Sequence, residues 1–206
     1  MRRRWLAVVV ALVLSLTACS SSEPTSTKPT FGGDAGTTIA PGDLAAAKAE
    51  AGIADCPSPG EPASGDDTLP DLTLECLGGG EAVDLTRLTG TPTVINLWAS
   101  WCKPCRTELP IMARADAAYG GAVRFIGVDY ADGDPDRAIA LAQVSGVTYP
   151  QLSDPDKTVK AALRVVALPQ TIFVDAQGRM VATERKEFRS YADLTAAIER
   201  HLGVTP

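Results

Sequence analysis

The stretch that most constrains this chain is Thr93–Pro110, TVINLWASWCKPCRTELP. Thr93 to Trp98 is a β-branched and aromatic run that reads as a buried central strand. Ala99, Ser100 and Trp101 lead from it into Cys102-Lys103-Pro104-Cys105, and the pattern then turns helical. A strand therefore runs directly into the first turn of a helix at two cysteines. At i and i+3 the cysteines share one helix face, close enough for a disulfide. Unpaired N–H groups and the dipole at the helix start favour a negative sulfur at Cys102, which makes it the better nucleophile. Lys103 adds a positive charge beside it. Pro104 fits the first helical turn, where a missing N–H costs nothing. Cys105, one turn in, is expected to be more buried and to act as the resolving thiol. The other reading of a C-x-x-C is half of a structural zinc site. The strand before it, the helix after it and the Trp directly in front favour the redox dithiol.

WASWCKPC resembles the active site of the thioredoxin superfamily, and the CRTELP that overlaps its end resembles the membrane-tethered, extracytoplasmic TlpA/ResA branch. Thioredoxins themselves carry an Asp six residues before the first cysteine, where this chain has Asn96. The TlpA/ResA branch carries a Glu three residues after the second cysteine, and here that is Glu108. The resemblance runs from about Leu69 to Val204. It implies an α/β, thioredoxin-like three-layer fold with a central mixed sheet, an N-terminal β-hairpin extension and a central αβ insertion. It also implies a thiol–disulfide oxidoreductase in which Cys102 attacks, Cys105 resolves and Glu108 handles protons. Read without the resemblance, Glu108 equally well complements the first helical turn. Ala167-Leu168-Pro169-Gln170-Thr171 matches the cis-proline loop of the superfamily, which lies against the dithiol and offers backbone to a substrate strand. Trp101, Lys103, Pro104, Leu168 and Pro169 are accordingly the candidate substrate-binding positions. No separate cofactor or metal is expected, since the redox group is the Cys102–Cys105 disulfide itself. The implied partners are protein thiols and disulfides, apocytochrome c foremost, with an integral-membrane thiol carrier as electron donor. A Dsb-like oxidant of secreted proteins is the chemical alternative. A non-catalytic metal- or partner-binding module is the alternative from another class. A peroxiredoxin fits less well, because the cysteine stands in Trp-Cys-x-x-Cys and not after Thr/Ser-x-x.

The remainder of the chain fits this placement. Arg2, Arg3 and Arg4 precede an apolar run, Trp5 to Leu16, too short to span a bilayer. Leu16-Thr17-Ala18-Cys19 resembles a bacterial lipobox, whose cysteine is lipidated. Residues 1–18 are then a lipoprotein signal peptide, and 19–42 a lipid anchor and flexible tether of roughly 25–30 Å span. An ordinary secretory signal is the alternative; either one puts the domain outside the cytoplasmic membrane, and on the lipobox reading lipid alone holds it there. Residues 43–68 are expected to form an N-terminal helix (Asp43 to Ile53) and loop, and 69–206 the thioredoxin-like domain. Leu72–Cys76 and Ala82–Leu85 read as a hairpin, Tyr149–Leu152 as a short strand and Asp156–Leu163 as a helix. A formal charge of −6 gives no electrostatic footprint for nucleic acid. With Cys19 assigned to lipid and Cys102/Cys105 to the redox pair, Cys56 and Cys76 remain. In an oxidising compartment a structural disulfide is the simplest pairing. A second redox pair, or a four-cysteine zinc site with the C-x-x-C, is the rival. His201, the only histidine, is expected on the surface of a terminal helix, which leaves no Cys–His catalysis.

Overall fold

The structure is a computed structural model and describes residues 41–206; the expected signal peptide, Cys19 and nearly all of the tether lie outside the described residues. The first element, α1 (Pro41–Glu50), starts before Asp43 and stops short of Ile53, where Gly52 takes a left-handed φ of 70°. The hairpin strands β1 (Thr73–Cys76) and β2 (Val83–Asp84) follow, then a 3₁₀ turn at Leu85–Arg87. The core begins with β3 (Thr93–Trp98), α2 (Lys103–Tyr119) and β4 (Arg124–Tyr130). Next come α3 (Pro135–Val144) and β5 (Gln151–Asp154), then β6 (Gln170–Val174), β7 (Met180–Glu184) and α4 (Tyr191–Leu202). The seven strands form one mixed sheet in the order β2-β1-β5-β4-β3-β6-β7. β3 and β4 are parallel, as are β4 and β5, while β6 runs antiparallel to β3. α3 and β5 supply the expected insertion. The hairpin is not a separate flap, because β1 also pairs antiparallel with β5.

Both faces of β3 are buried, which is why it is apolar almost throughout. Val94 and Trp98 point into one core with Cys105, Leu109 and Met112 of α2, Ile139 of α3 and Leu194 of α4. Ile95 and Leu97 point into the other, with Ile126, Leu69, Val159 and Leu163. Asn96 has the parity of Val94 and Trp98, so the strand's one amide faces α2.

The second core is covered differently from expectation. The segment 156–163 is a series of turns and not a helix. Lys157 and Arg164 both sit at positive φ, 62° and 49°, and interrupt the helical path at either end. Asp154 takes up the N–H groups of Thr158 and Val159, so the backbone closes on a side chain instead of continuing a ladder. The bonds within the segment mix three-, four- and five-residue spacings. The second core is thus covered by turns, while Leu74 and Val83 of the hairpin strands line it from the sheet.

Cys56 and Cys76 are joined by a disulfide that ties the loop after α1 to the end of β1. Replacing both with alanine is expected to lower stability by about 2–4 kcal/mol, because it frees the unfolded chain of a cross-link. Urea melts of the paired variant and the parent measure it.

Candidate active site

Cys102 is the N-cap of α2, and its sulfur accepts the Cys105 N–H at 3.3 Å. The two cysteines are disulfide-bonded, with Cys105 fully buried and Cys102 only 4 % exposed. α2 passes through Pro110 without interruption and ends at Gly120, whose left-handed φ of 55° suits a helix stop.

The loop leading to Cys102 is held from several sides. The Ser100 N–H donates to the Asp132 carboxylate at 2.6 Å, and the Ser100 carbonyl accepts from Arg106 Nε and Nη2 at 2.8 and 2.6 Å. Trp101, 55 % exposed, donates its indole N–H to the Ala131 carbonyl at 3.1 Å. Beneath Asp132, burial pushes the Asp129 carboxyl up to about 8, reinforced by the charges of Asp132 and Asp134. Asp129 therefore carries a proton at neutral pH, and the two acids do not repel at full charge. These holding residues escaped sequence reading. The acidic run around Asp129–Asp134 looks like a solvated turn until the fold brings it against Ser100.

Glu108 lies one turn after Cys105 on the same face of α2, a spacing that puts Cβ atoms about 5–6 Å apart. It is fully buried. Its carboxylate accepts from Asn96 Nδ2 at 2.9 Å and from the Phe188 N–H at 2.8 Å. Burial raises its pKa to about 7, against the lowering effect of those two donors. Asn96 Nδ2 also approaches Thr171 Oγ1 at 3.3 Å, while Asn96 Oδ1 has no partner among the described residues. An amide carries a donor and an acceptor. Asn96 can therefore donate to the ionised Glu108 and, after rotation, accept from the protonated one, which an ionised Asp in its place cannot do. The Phe188 contact comes from a loop 80 residues away and left no trace in the motif.

The Leu168–Pro169 bond is cis, and Pro169 is buried. Because Gln170 pairs with Leu97 at the end of β3, this loop lies beside the residues entering the dithiol, and Leu168 packs on the cluster that contains both cysteines. Trp101 and Leu168 line one hollow of about 280 Å³ with Tyr130, Lys157, Lys160 and Val166. Lys103, exposed, and Pro104, half-buried, sit on the first turn of α2 outside that lining. His201 departs from the surface reading. It is mostly buried, 3.2 Å from Glu184, with its ring tilted against that of Phe173 at 4.8 Å between centroids, remote in role from the cysteines.

A family model described as AhpC/TSA matches residues 66–183. Over 111 residues the chain is 32% identical to the thioredoxin-like protein YneN of Bacillus subtilis, covering 53% of this chain and 64% of YneN. It is 32% identical over 137 residues to the thiol-disulfide oxidoreductase ResA of Geobacillus kaustophilus, covering 66% of this chain and 74% of ResA. The chain thus spans less than two thirds of YneN and somewhat more of ResA. Among solved structures, a DsbF homologue from Corynebacterium diphtheriae superposes with a TM-score of 0.57 at 25% identity, covering 72% of this chain and 99% of that one. With over half its length inside the family match and most of ResA spanned, the chain belongs to the AhpC/TSA family of thioredoxin-like proteins, in the company of ResA-type thiol–disulfide oxidoreductases.

Proposed function

We propose that the chain is an extracytoplasmic thiol–disulfide oxidoreductase that works as a reductant, with apocytochrome c as its substrate and an integral-membrane thiol carrier as its electron source. The observation that carries this reading is Glu108, a buried acid poised near neutrality one turn from the buried Cys105. In the reduced protein Cys102, as thiolate, attacks one sulfur of a substrate disulfide and forms a mixed disulfide, and the other substrate sulfur departs as a thiolate. Cys105 then gives up its proton, with Glu108 as acceptor, and attacks the Cys102 sulfur. The second substrate thiolate leaves, and Cys102–Cys105 closes. Two electrons pass to the substrate, and the carrier restores the dithiol by the reverse exchange.

The surroundings of the sulfurs support the reducing direction. Among the described residues, the one hydrogen bond to either sulfur is the neutral Cys105 N–H. An ionised Glu108 disfavours a thiolate at Cys105. A dithiol whose buried second thiolate is disfavoured gives up electrons more readily, an effect that opposes the helix-start stabilisation of the Cys102 thiolate, whereas stabilising the reduced form makes an oxidant. The hollow beside Trp101 and Leu168 is the place for the substrate segment next to its cysteine, with Pro169 behind it. Lys103 and Pro104 border the approach from the helix side.

The test is a Cys105→Ser chain expressed in full, with its adducts recovered from the membrane fraction. Without the resolving thiol the mixed disulfide at Cys102 persists. Mass spectrometry is expected to find apocytochrome c or its assembly factors bound there. A collection of unrelated secreted proteins instead would move the assignment to a disulfide-forming oxidant. In the same cells Cys19→Ala is expected to release the domain or leave an uncleaved precursor, since lipid is its proposed anchor.

A further inference from the structure

The Cys56–Cys76 disulfide plays no part in the chemistry above, yet both its sulfurs face polar groups. Lys48 of α1 is 5 % exposed. Its ammonium donates to Cys76 Sγ at 3.3 Å, to the Gly79 carbonyl at 2.9 Å and to the Asp55 carboxylate at 3.1 Å. The Asp55 side chain is 95 % exposed, so water screens its charge and the inner side of the ammonium meets an uncharged sulfur. The glycine loop is moulded around this lysine. A Cβ on Gly78 would stand 2.7 Å from Lys48 Cβ, and one on Gly80 would meet Cys76 Sγ at 3.5 Å. On the other side, Cys56 Sγ lies 3.5 Å from the Gln151 carbonyl oxygen.

A disulfide sulfur has no proton to give that carbonyl and no negative charge to offer that ammonium. The reduced pair has both. A Cys56 thiol donates to the Gln151 oxygen, and a Cys76 thiolate pairs with Lys48, whose charge is otherwise poorly compensated at its buried end.

We propose that Cys56–Cys76 is a second redox couple, opened by a dithiol reductant at Cys56, with Cys76 leaving as a thiolate held by Lys48. Cys56 is the entry point because it is half-buried whereas Cys76 is buried. A thiolate of the reductant bonds to Cys56 Sγ as the Cys56–Cys76 bond breaks, and the electron pair stays on Cys76 Sγ beside Nζ. The reductant's second sulfur then displaces Cys56, closing the reductant's own disulfide, and Cys56 takes up a proton. Two electrons enter the protein. The reductant loses two protons, Cys56 binds one, and one goes to solvent. The couple also borders the dithiol's strand. Gln151, whose carbonyl faces Cys56, accepts the Trp98 indole N–H on its side-chain oxygen at 2.9 Å, in space that a Cβ on Gly127 would occupy.

The experiment uses the full chain carrying Cys102→Ser and Cys105→Ser, so that it is independent of the first pair. The protein is equilibrated with reduced and oxidised dithiothreitol at pH 6, 7 and 8, quenched by alkylation and read by peptide mass. Release of one proton predicts that the reduced-to-oxidised ratio rises about tenfold per pH unit. Asp55 is the charged group within reach of Lys48, while Glu75 and Glu81, which flank Cys76 and the glycine loop, are exposed, so the slope reports Cys76. Lys48→Met is expected to flatten that slope and to lower the ratio at pH 8 at least tenfold, while Lys48→Arg keeps the slope. Far-UV circular dichroism checks that each remains folded. Should Lys48→Met fail to fold, the parent decides alone, by its slope and by the site of its glutathione adduct, which is expected on Cys56. A couple that stays oxidised until the chain unfolds, a pH-independent ratio, or an adduct on Cys76 overturns the proposal.

Discussion

Replacing Cys102 with serine is expected to remove thiol–disulfide exchange, by more than about a thousandfold, because a hydroxyl supplies no thiolate at neutral pH and forms no mixed disulfide. The fold should persist, since the side chain is nearly isosteric and its sulfur accepts a single hydrogen bond, from the Cys105 N–H. Cys105→Ser should behave differently. The first attack survives, one equivalent of substrate is captured, and turnover stops. The initial reaction with an aromatic disulfide, followed by the release of its chromophoric thiol, separates the two variants. Undiminished exchange in Cys102→Ser, with the adduct on Cys105, would reverse the assigned roles.

Glu108→Gln is expected to change both stability and chemistry, in a defined pH window. The folded protein raises this carboxyl from 4.5 to about 7. A group raised in this way binds its proton more tightly when folded. The stability it contributes is complete below its unfolded pKa and is lost as pH rises through about 7. The parent should therefore lose on the order of 3 kcal/mol, relative to the Gln variant, between pH 4.5 and pH 8. The Gln variant should keep only the slope that Asp129, raised to about 8, gives to both proteins. Glutamine keeps the acceptor for the Phe188 N–H, and its amide can donate to the unpartnered Asn96 Oδ1 once that side chain rotates. Urea melts at several pH values measure the difference. The exchange rate of the variant should lose its inflection near pH 7 and fall, since Cys105 has lost its proton acceptor. Parallel stability curves in parent and variant would return Glu108 to a passive role.

Local features of the sequence carried most of this architecture. The run Thr93–Trp98 is apolar on both faces and so announces a central strand, and Cys102, Pro104 and Gly120 mark the start and stop of α2 by their own backbone requirements. The spacing of Cys105 and Glu108 is likewise a local fact. What was not legible depends on contacts between distant segments. Asp132 against Ser100, and Phe188 against Glu108, join positions 32 and 80 residues apart through the sheet topology. The segment 156–163 has a helical composition, yet Asp154 captures its first N–H groups and Arg164 turns left-handed, so tertiary context overrides propensity. Lys48 gave no signal at all. In an alanine-rich helix it reads as a solvated charge, and only the folded glycine loop buries it beside Cys76.

On the proposed function, Cys102–Cys105 is a reducing dithiol governed by the acid beneath it. The most direct measurement is the equilibrium potential of this couple in the full chain, against dithiol buffers, as a function of pH. The expected value lies in the range of reducing thioredoxin-like dithiols, roughly −270 mV at pH 7, with Glu108→Gln less reducing than the parent above pH 7. A value near roughly −120 mV, the territory of strong disulfide-forming oxidants, with no dependence on Glu108, would contradict it.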